Sequence, residues 1–146
     1  MAGDPAARRA YLDASAAVKL VLVEPESATL RAFLEPMATM SSSELLKAEL
    51  VRAVRRRAEA VEWSRGRLLD KATELLDVMD LFTLDGAVFS LAGHLDPVSV
   101  RALDALHVAT ALQVAPLRAF VSYDRRQLDA ARRAGLSTVS PGAEAA

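Results

Sequence analysis

The chain has no cysteine and only two histidines. The first absence rules out disulfides, thiolate zinc sites and cysteine nucleophiles, and the second leaves little imidazole for metal binding. Chemistry therefore falls to carboxylates and hydroxyls. No uninterrupted apolar run approaches the roughly 20 residues of a membrane span, so a soluble protein is expected. Met1-Ala2-Gly3-Asp4-Pro5 lacks the basic and apolar regions of a secretory signal, which makes a cytoplasmic location the expectation. A surplus of Lys and Arg, the usual mark of a nucleic-acid binder, is also missing, since the formal charge is -1.

What is present is a chain of 146 residues with an apolar fraction of 52%. That suits one domain over 1–146, with a core at about 9–139 and short flexible termini. The arginines are bunched in Arg52-Ala53-Val54-Arg55-Arg56-Arg57, Arg125-Arg126 and Arg132-Arg133. Such clusters can be ordinary solvated helix faces, or they can flank an acidic centre with cationic surface.

Strand and helix patterns alternate along the chain. Arg9 to Asp13 reads as a strand, Ala16 to Leu22 as a helix broken at Glu24-Pro25, and Glu26 to Leu34 as a second helix. Ala38 to Ser41 is a short strand. Ser41 and Glu44 have the spacing of a capping box, which predicts a third helix running to about Arg57. A fourth helix is expected from Val61 to Val78, then a strand at Asp80 to Leu84. Asp85 can cap a helix stopped in left-handed conformation at Gly93. Asp96-Pro97 or Ser99 opens a nearly all-apolar helix, Val100 to Val114, ended by Pro116. A strand at Arg118 to Ser122, a helix at Asp124 to Ala134 closed by Gly135, and a strand at Ser137 to Val139 complete the pattern, leaving Pro141 to Ala146 as a disordered tail. This alternation predicts an α/β fold with a mainly parallel sheet covered on both faces. Ligands bind beyond the carboxyl ends of such strands.

Four carboxylates stand out. Asp13 and Asp124 each follow a strand, and each can be read as a cap for the next helix. Asp104 lies between Val100 and Val108 on an apolar helix, where an unpaired carboxylate is costly to bury; it needs a cation, either Arg101 or a metal. Glu49 shares a helical stripe with Leu45, Leu46 and Ala53, with Arg52 as an alternative surface partner. Glu44 lies about 140° away around that helix, so the two do not easily serve one site. Carboxylates converging on one crevice repel unless a divalent ion joins them. An all-oxygen donor set favours Mg²⁺ or Mn²⁺. Such an ion activates water and neutralises a phosphoryl transition state, which suits phosphodiester hydrolysis.

Tyr11-Leu12-Asp13-Ala14-Ser15-Ala16, Glu49-Leu50, Arg101-Ala102-Leu103-Asp104-Ala105-Leu106-His107 and Ser122-Tyr123-Asp124-Arg125-Arg126 resemble, in order and spacing, the signatures of PIN-domain nucleases, and of VapC-type toxins in particular. The resemblance extends from about Arg9 to Val139. It implies a three-layer sandwich with strand order 3-2-1-4-5 and a metal-dependent endoribonuclease whose acidic set is Asp13, Glu49, Asp104 and Asp124. Ser15 and Ser122 match positions that support the metal cluster, although either can equally make a local backbone hydrogen bond. His107 matches a common family position, and on its apolar helix it is expected to be a buried, hydrogen-bonded structural residue.

The same resemblance implies a homodimer and a cognate VapB-like antitoxin that blocks the acidic pocket. Apolar positions on the second to fourth helices are the suspected dimer surface. The substrate is expected to be RNA with an exposed single-stranded loop, its phosphates contacted by Arg52, Arg56, Arg125 and Arg126. Three other folds fit poorly. A phosphorelay receiver needs an acidic pair and a late lysine, a haloacid-dehalogenase-like phosphatase needs a second aspartate where Ser15 stands, and a two-histidine ribonuclease would have to use His107. The alternative from another class is a catalytically inactive PIN-like module that binds RNA or protein.

Overall fold

The computed structural model describes residues 4–58 and 64–143. After a short 3-10 turn, the order is β1 (Arg9–Leu12), α1 (Ala14–Val21), α2 (Ser27–Leu34), β2 (Thr39–Ser43), α3 (Leu45–Ala58), α4 (Arg65–Val78), β3 (Asp80–Phe82), α5 (Gly86–Gly93), α6 (Ala102–Val114), β4 (Ala119–Val121), α7 (Arg125–Arg133) and β5 (Thr138–Val139). The sheet order is β3-β2-β1-β4-β5, and every pairing is parallel. Both the α/β class and the strand order agree with the sequence expectation. The expected start of α4 at Val61 lies outside the described residues.

Alternation along the strands sorts the core into two layers. Ala10, Leu12, Ala119 and Val121 face α1 to α4, where Leu46, Leu50 and Val54 repeat at helical spacing on α3. Tyr11 and Phe120 face the other way, onto Val108 and Ala111 of α6 and Ala130 and Ala131 of α7. Their rings stack across the β1–β4 pair at 5.3 Å. Because both central strands are covered on both faces, their carboxyl ends deliver Asp13 and Ser122 to one edge of the sheet. Among the described residues no helix is long and apolar enough to cross a membrane.

A buried cation fixes the α1–α2 junction. Lys19 Nζ lies 2.7 Å from Glu24 and 2.8 Å from Glu26, and 4.7 Å above the Tyr123 ring. Burial pushes this ammonium down, but hydrogen bonds to the two glutamates outweigh it and leave it raised, while Lys19 lowers Glu26.

Four local expectations are corrected. Ser41 does not cap α3: β2 pairs with both β1 and β3, so it stays extended to Ser43, and the Leu45 amide donates to Ser43 Oγ instead. Glu44 therefore has no capping role and approaches Lys47. Gly93 is the last residue of α5 and is not left-handed, whereas Gly135, with φ of 96°, is. Neither Asp96 nor Ser99 opens α6, whose N-cap is Arg101 without a side-chain bond. Finally, Pro141 is buried and its carbonyl accepts from the Tyr123 hydroxyl at 2.7 Å, so the tail is anchored there by a tertiary bond.

Candidate active site

Asp13 occupies the N-cap of α1, where the chain leaves β1, and it is only 2% exposed. Its Oδ1 accepts from the Ser15 hydroxyl at 2.7 Å and the Ala16 amide at 2.9 Å; its Oδ2 accepts from the Ser122 hydroxyl at 2.6 Å. A carboxylate offers about four acceptor positions, so three are filled and one remains, on Oδ2. Burial raises its pKa, and the two serines and the Ala16 amide pull it part of the way back.

The serines bind the strand ends together as well as Asp13. Ser15 Oγ accepts from the Tyr123 amide at 2.9 Å, Ser122 Oγ accepts from the Asp124 amide at 3.1 Å, and the two hydroxyls stand 3.3 Å apart. Local backbone bonding and support of the acidic centre thus coexist in the same side chains. Asp124 caps α7 through the Arg126 amide at 2.9 Å. Capping consumes one of its oxygens, and it does not remove the residue from the acidic edge.

Asp104 enters from the first turn of α6. Partial burial raises its pKa first, then the charges of Asp124 and Asp13, with Glu49 adding a smaller push. The four carboxylates therefore share one electrostatic neighbourhood. The proposed Arg101 partner does not form among the described residues: Arg101 lines the same pocket as Asp104 but makes no ion pair with it. Gln127 Nε2 donates to the Asp104 carbonyl at 3.2 Å, tying α7 to α6.

Glu49 is held by His107, and not by Arg52, the alternative surface partner. Its Oε1 lies 2.6 Å from His107 Nε2, and His107 Nδ1 lies 2.8 Å from the Tyr11 hydroxyl. Arg52 makes no ion pair with it among the described residues. His107 is buried and hydrogen-bonded, as its apolar helix predicted, but the bond goes to a residue of the acidic set. The signal was present in the spacing, because His107 follows Asp104 by three residues and so shares its helix face. Burial drives the Tyr11 phenol far above its ordinary pKa, despite the neighbouring Ser42 and Thr110 hydroxyls.

Cationic surface borders this acidic edge on two sides. A cleft of about 590 Å³ is lined by Ser15, Glu49, Arg52, Arg56, Arg57 and Leu103, among others. A second, of about 380 Å³, is lined by Arg101, Asp104, Asp124, Arg125 and Arg126. Arg57 is engaged by Glu24 at 2.8 Å. Arg52, Arg56, Arg125 and Arg126 are exposed.

The donors are all carboxylate oxygens, which suits a hard divalent cation in chemical type and charge. As oriented, however, no three acidic or imidazole groups among the described residues stand close enough to coordinate one ion together. The donor chemistry and the shared field suit a divalent cation in type and charge.

A PIN domain family model matches residues 10–133, which spans every element from β1 through α7. The chain is 38% identical over 138 residues to Ribonuclease VapC47 of Mycobacterium tuberculosis (strain CDC 1551 / Oshkosh), covering 91% of this chain and 97% of that protein. It is 39% identical over 132 residues to Ribonuclease VapC46 of Mycobacterium tuberculosis (strain ATCC 25618 / H37Rv), with 90% and 96% covered. Ribonuclease VapC35 of the same species is 37% identical over 137 residues. With sheet order, family model and full-length relatives in agreement, the chain belongs to the PIN-domain family, in its VapC-type branch.

Proposed function

We propose that this protein is the toxin of a toxin–antitoxin pair, an endoribonuclease that hydrolyses RNA phosphodiester bonds with Mg²⁺ or Mn²⁺ at Asp13, Glu49, Asp104 and Asp124. The observation that carries this reading is the half-buried Asp104 carboxyl, raised first by burial and then by Asp124, Asp13 and Glu49, with no cationic side chain bonded to it among the described residues. A binding module gains nothing from such repulsion, whereas a metal-dependent hydrolase needs it. The full-length relatives named as ribonucleases support RNA as the substrate.

Asp13, Asp104, Asp124 and Glu49 would hold the ion, which supplies an activated water and neutralises a phosphate oxygen when bound. Asp13 contributes through its one open position on Oδ2, and its serine and amide bonds keep it from swinging away. Arg52 and Arg56 on one side, and Arg125 and Arg126 on the other, hold the RNA backbone across the acidic edge. Leu103, 50% exposed and lining the Glu49 cleft, offers an apolar contact for a splayed base.

A VapB-like antitoxin covers this edge in the resting complex, and the toxin works in the cytoplasm as a single-domain homodimer. The test is incubation of antitoxin-free protein with total RNA. Cutting that stops with EDTA and resumes with excess Mn²⁺ supports the reading; RNA binding without cutting at any metal concentration favours the inactive module.

A further inference from the structure

Glu49 and His107 are 58 residues apart in sequence and sit on different helices, α3 and α6, yet their side chains meet at 2.6 Å. His107 is 1% exposed, and its other nitrogen meets Tyr11, which is fully buried. These two contacts suit one direction of hydrogen bonding along the chain. An ionised carboxylate only accepts, so Nε2 must carry the hydrogen. With Nε2 donating to Glu49, a ring that carries a single N–H presents Nδ1 as an acceptor, and the Tyr11 hydroxyl 2.8 Å away is placed to donate to it.

We propose that His107 is a positioning residue for Glu49, locked by Tyr11 in the Nε2–H tautomer so that it holds Oε1 and leaves Oε2 for the divalent cation. This rests on the metal-site reading above. Glu49 is held differently from the two aspartates at the strand ends. Asp13 and Asp124 are fixed by the amides they cap, whereas Glu49 has a longer side chain and is mid-helix, and the only hydrogen bond its carboxylate makes among the described residues is to His107. Without that anchor the carboxylate samples several rotamers and loses the entropy advantage of a preset ligand. The Tyr11 ring is held in turn by its stack on Phe120, so the rigidity of the sheet passes through Tyr11 and His107 to Glu49.

Two readouts independent of RNA cleavage decide this. The first is the ¹⁵N resonances of His107 in metal-free protein. A protonated Nε2 with a hydrogen-bonded, unprotonated Nδ1 supports the proposal, and the reverse tautomer or a doubly protonated ring overturns it. The second is Mn²⁺ affinity, followed by the electron paramagnetic resonance of the free ion, in wild type, Tyr11→Phe, His107→Gln and His107→Leu. His107→Leu should bind Mn²⁺ about 10- to 100-fold more weakly. His107→Gln, which can place an amide donor near the Nε2 position, should recover most of that loss. Tyr11→Phe, lacking one oxygen, should fall between them with its KM for RNA at saturating metal unchanged.

If His107→Leu fails to fold, Tyr11→Phe and His107→Gln still decide the matter. Wild-type affinity in Tyr11→Phe, or an equal loss in Gln and Leu variants that both fold, overturns positioning and leaves only packing. A wild-type protein that binds no Mn²⁺ defeats the metal site itself, which separates the two failures.

Discussion

The Ser122 hydroxyl donates to Asp13 Oδ2 at 2.6 Å, joining the ends of the adjacent strands β4 and β1 through one buried bond. A carboxylate this buried depends on its donors, and a hydrogen bond to a charged group contributes about 1.5–3 kcal/mol. Ser122→Ala should therefore lower stability by about 2 kcal/mol in urea unfolding and raise the Asp13 pKa further. Ser15→Ala removes a second donor and should act in the same direction. Unchanged stability in both variants would contradict the assigned geometry.

The raised Asp104 carboxyl makes a prediction of opposite sign. Because it binds a proton more tightly in the fold, its favourable contribution is complete below its ordinary value of 3.8 and is lost as pH rises through the raised value. Metal-free Asp104→Asn should thus be more stable than metal-free wild type at neutral pH, by up to about 1 kcal/mol once its partial exposure is discounted for solvent screening. The difference should shrink towards pH 4, as the Asp104 carboxyl of wild type takes up its proton. Urea titrations in EDTA at the two pH values check this, and a difference independent of pH counts against the repulsive cluster.

Metal should reverse that order. At a concentration 100 times Kd, Mn²⁺ stabilises the fold by about 2.7 kcal/mol through mass action. Thermal unfolding should show this shift in wild type and little of it in Asp104→Asn. Equal shifts in the two proteins would mean that Mn²⁺ binds elsewhere.

Much of this was legible in the sequence, and the reasons differ by residue. Strand order followed the motif resemblance, and Glu49 was separated from Glu44 by helical phase, which the structure reproduces: Glu49 meets His107 whereas Glu44 approaches Lys47. The reason given for Glu44 failed, because a capping box is a local pattern and β2 pairs on both sides through Ser41. Asp13 and Asp124 showed that capping and membership of the acidic edge are compatible, although the sequence posed them as alternatives. Of the Tyr11–His107–Glu49 chain only the spacing of His107 from Asp104 on one helix face was legible, since the contacts themselves depend on the approach of α3, α6 and β1 in space.

The arginines can be tested apart from chemistry. Each phosphate contact to single-stranded RNA contributes about 0.7 to the slope of log K against log salt. In an Asp104→Asn background, Arg125→Ala with Arg126→Ala should reduce that slope by about 1.4 in fluorescence anisotropy, as should Arg52→Ala with Arg56→Ala. Arg57→Ala should change it less, since Glu24 already engages that guanidinium. Slopes indistinguishable from the parent would remove these arginines from the RNA path.

Lys19 provides a structural control away from the acidic edge. Lys19→Ala removes the cation shared by Glu24 and Glu26, leaving Glu24 with Arg57 alone, and should lower stability measurably in urea unfolding. Cleavage at a temperature where the variant remains folded should persist. A stability change below about 0.5 kcal/mol, within the range of ordinary surface substitutions, would show that the network is energetically idle.

The most direct test of the central claim is the single-turnover cleavage rate of a labelled RNA by antitoxin-free protein in saturating Mn²⁺, compared among wild type, Asp13→Asn and Asp104→Asn. Folding of each variant is verified under the same conditions. The acidic-site account predicts cutting by wild type and a loss of at least about 100-fold in both variants, the scale on which removing a transition-state charge partner acts. Cleavage by either folded variant at the wild-type rate would contradict it.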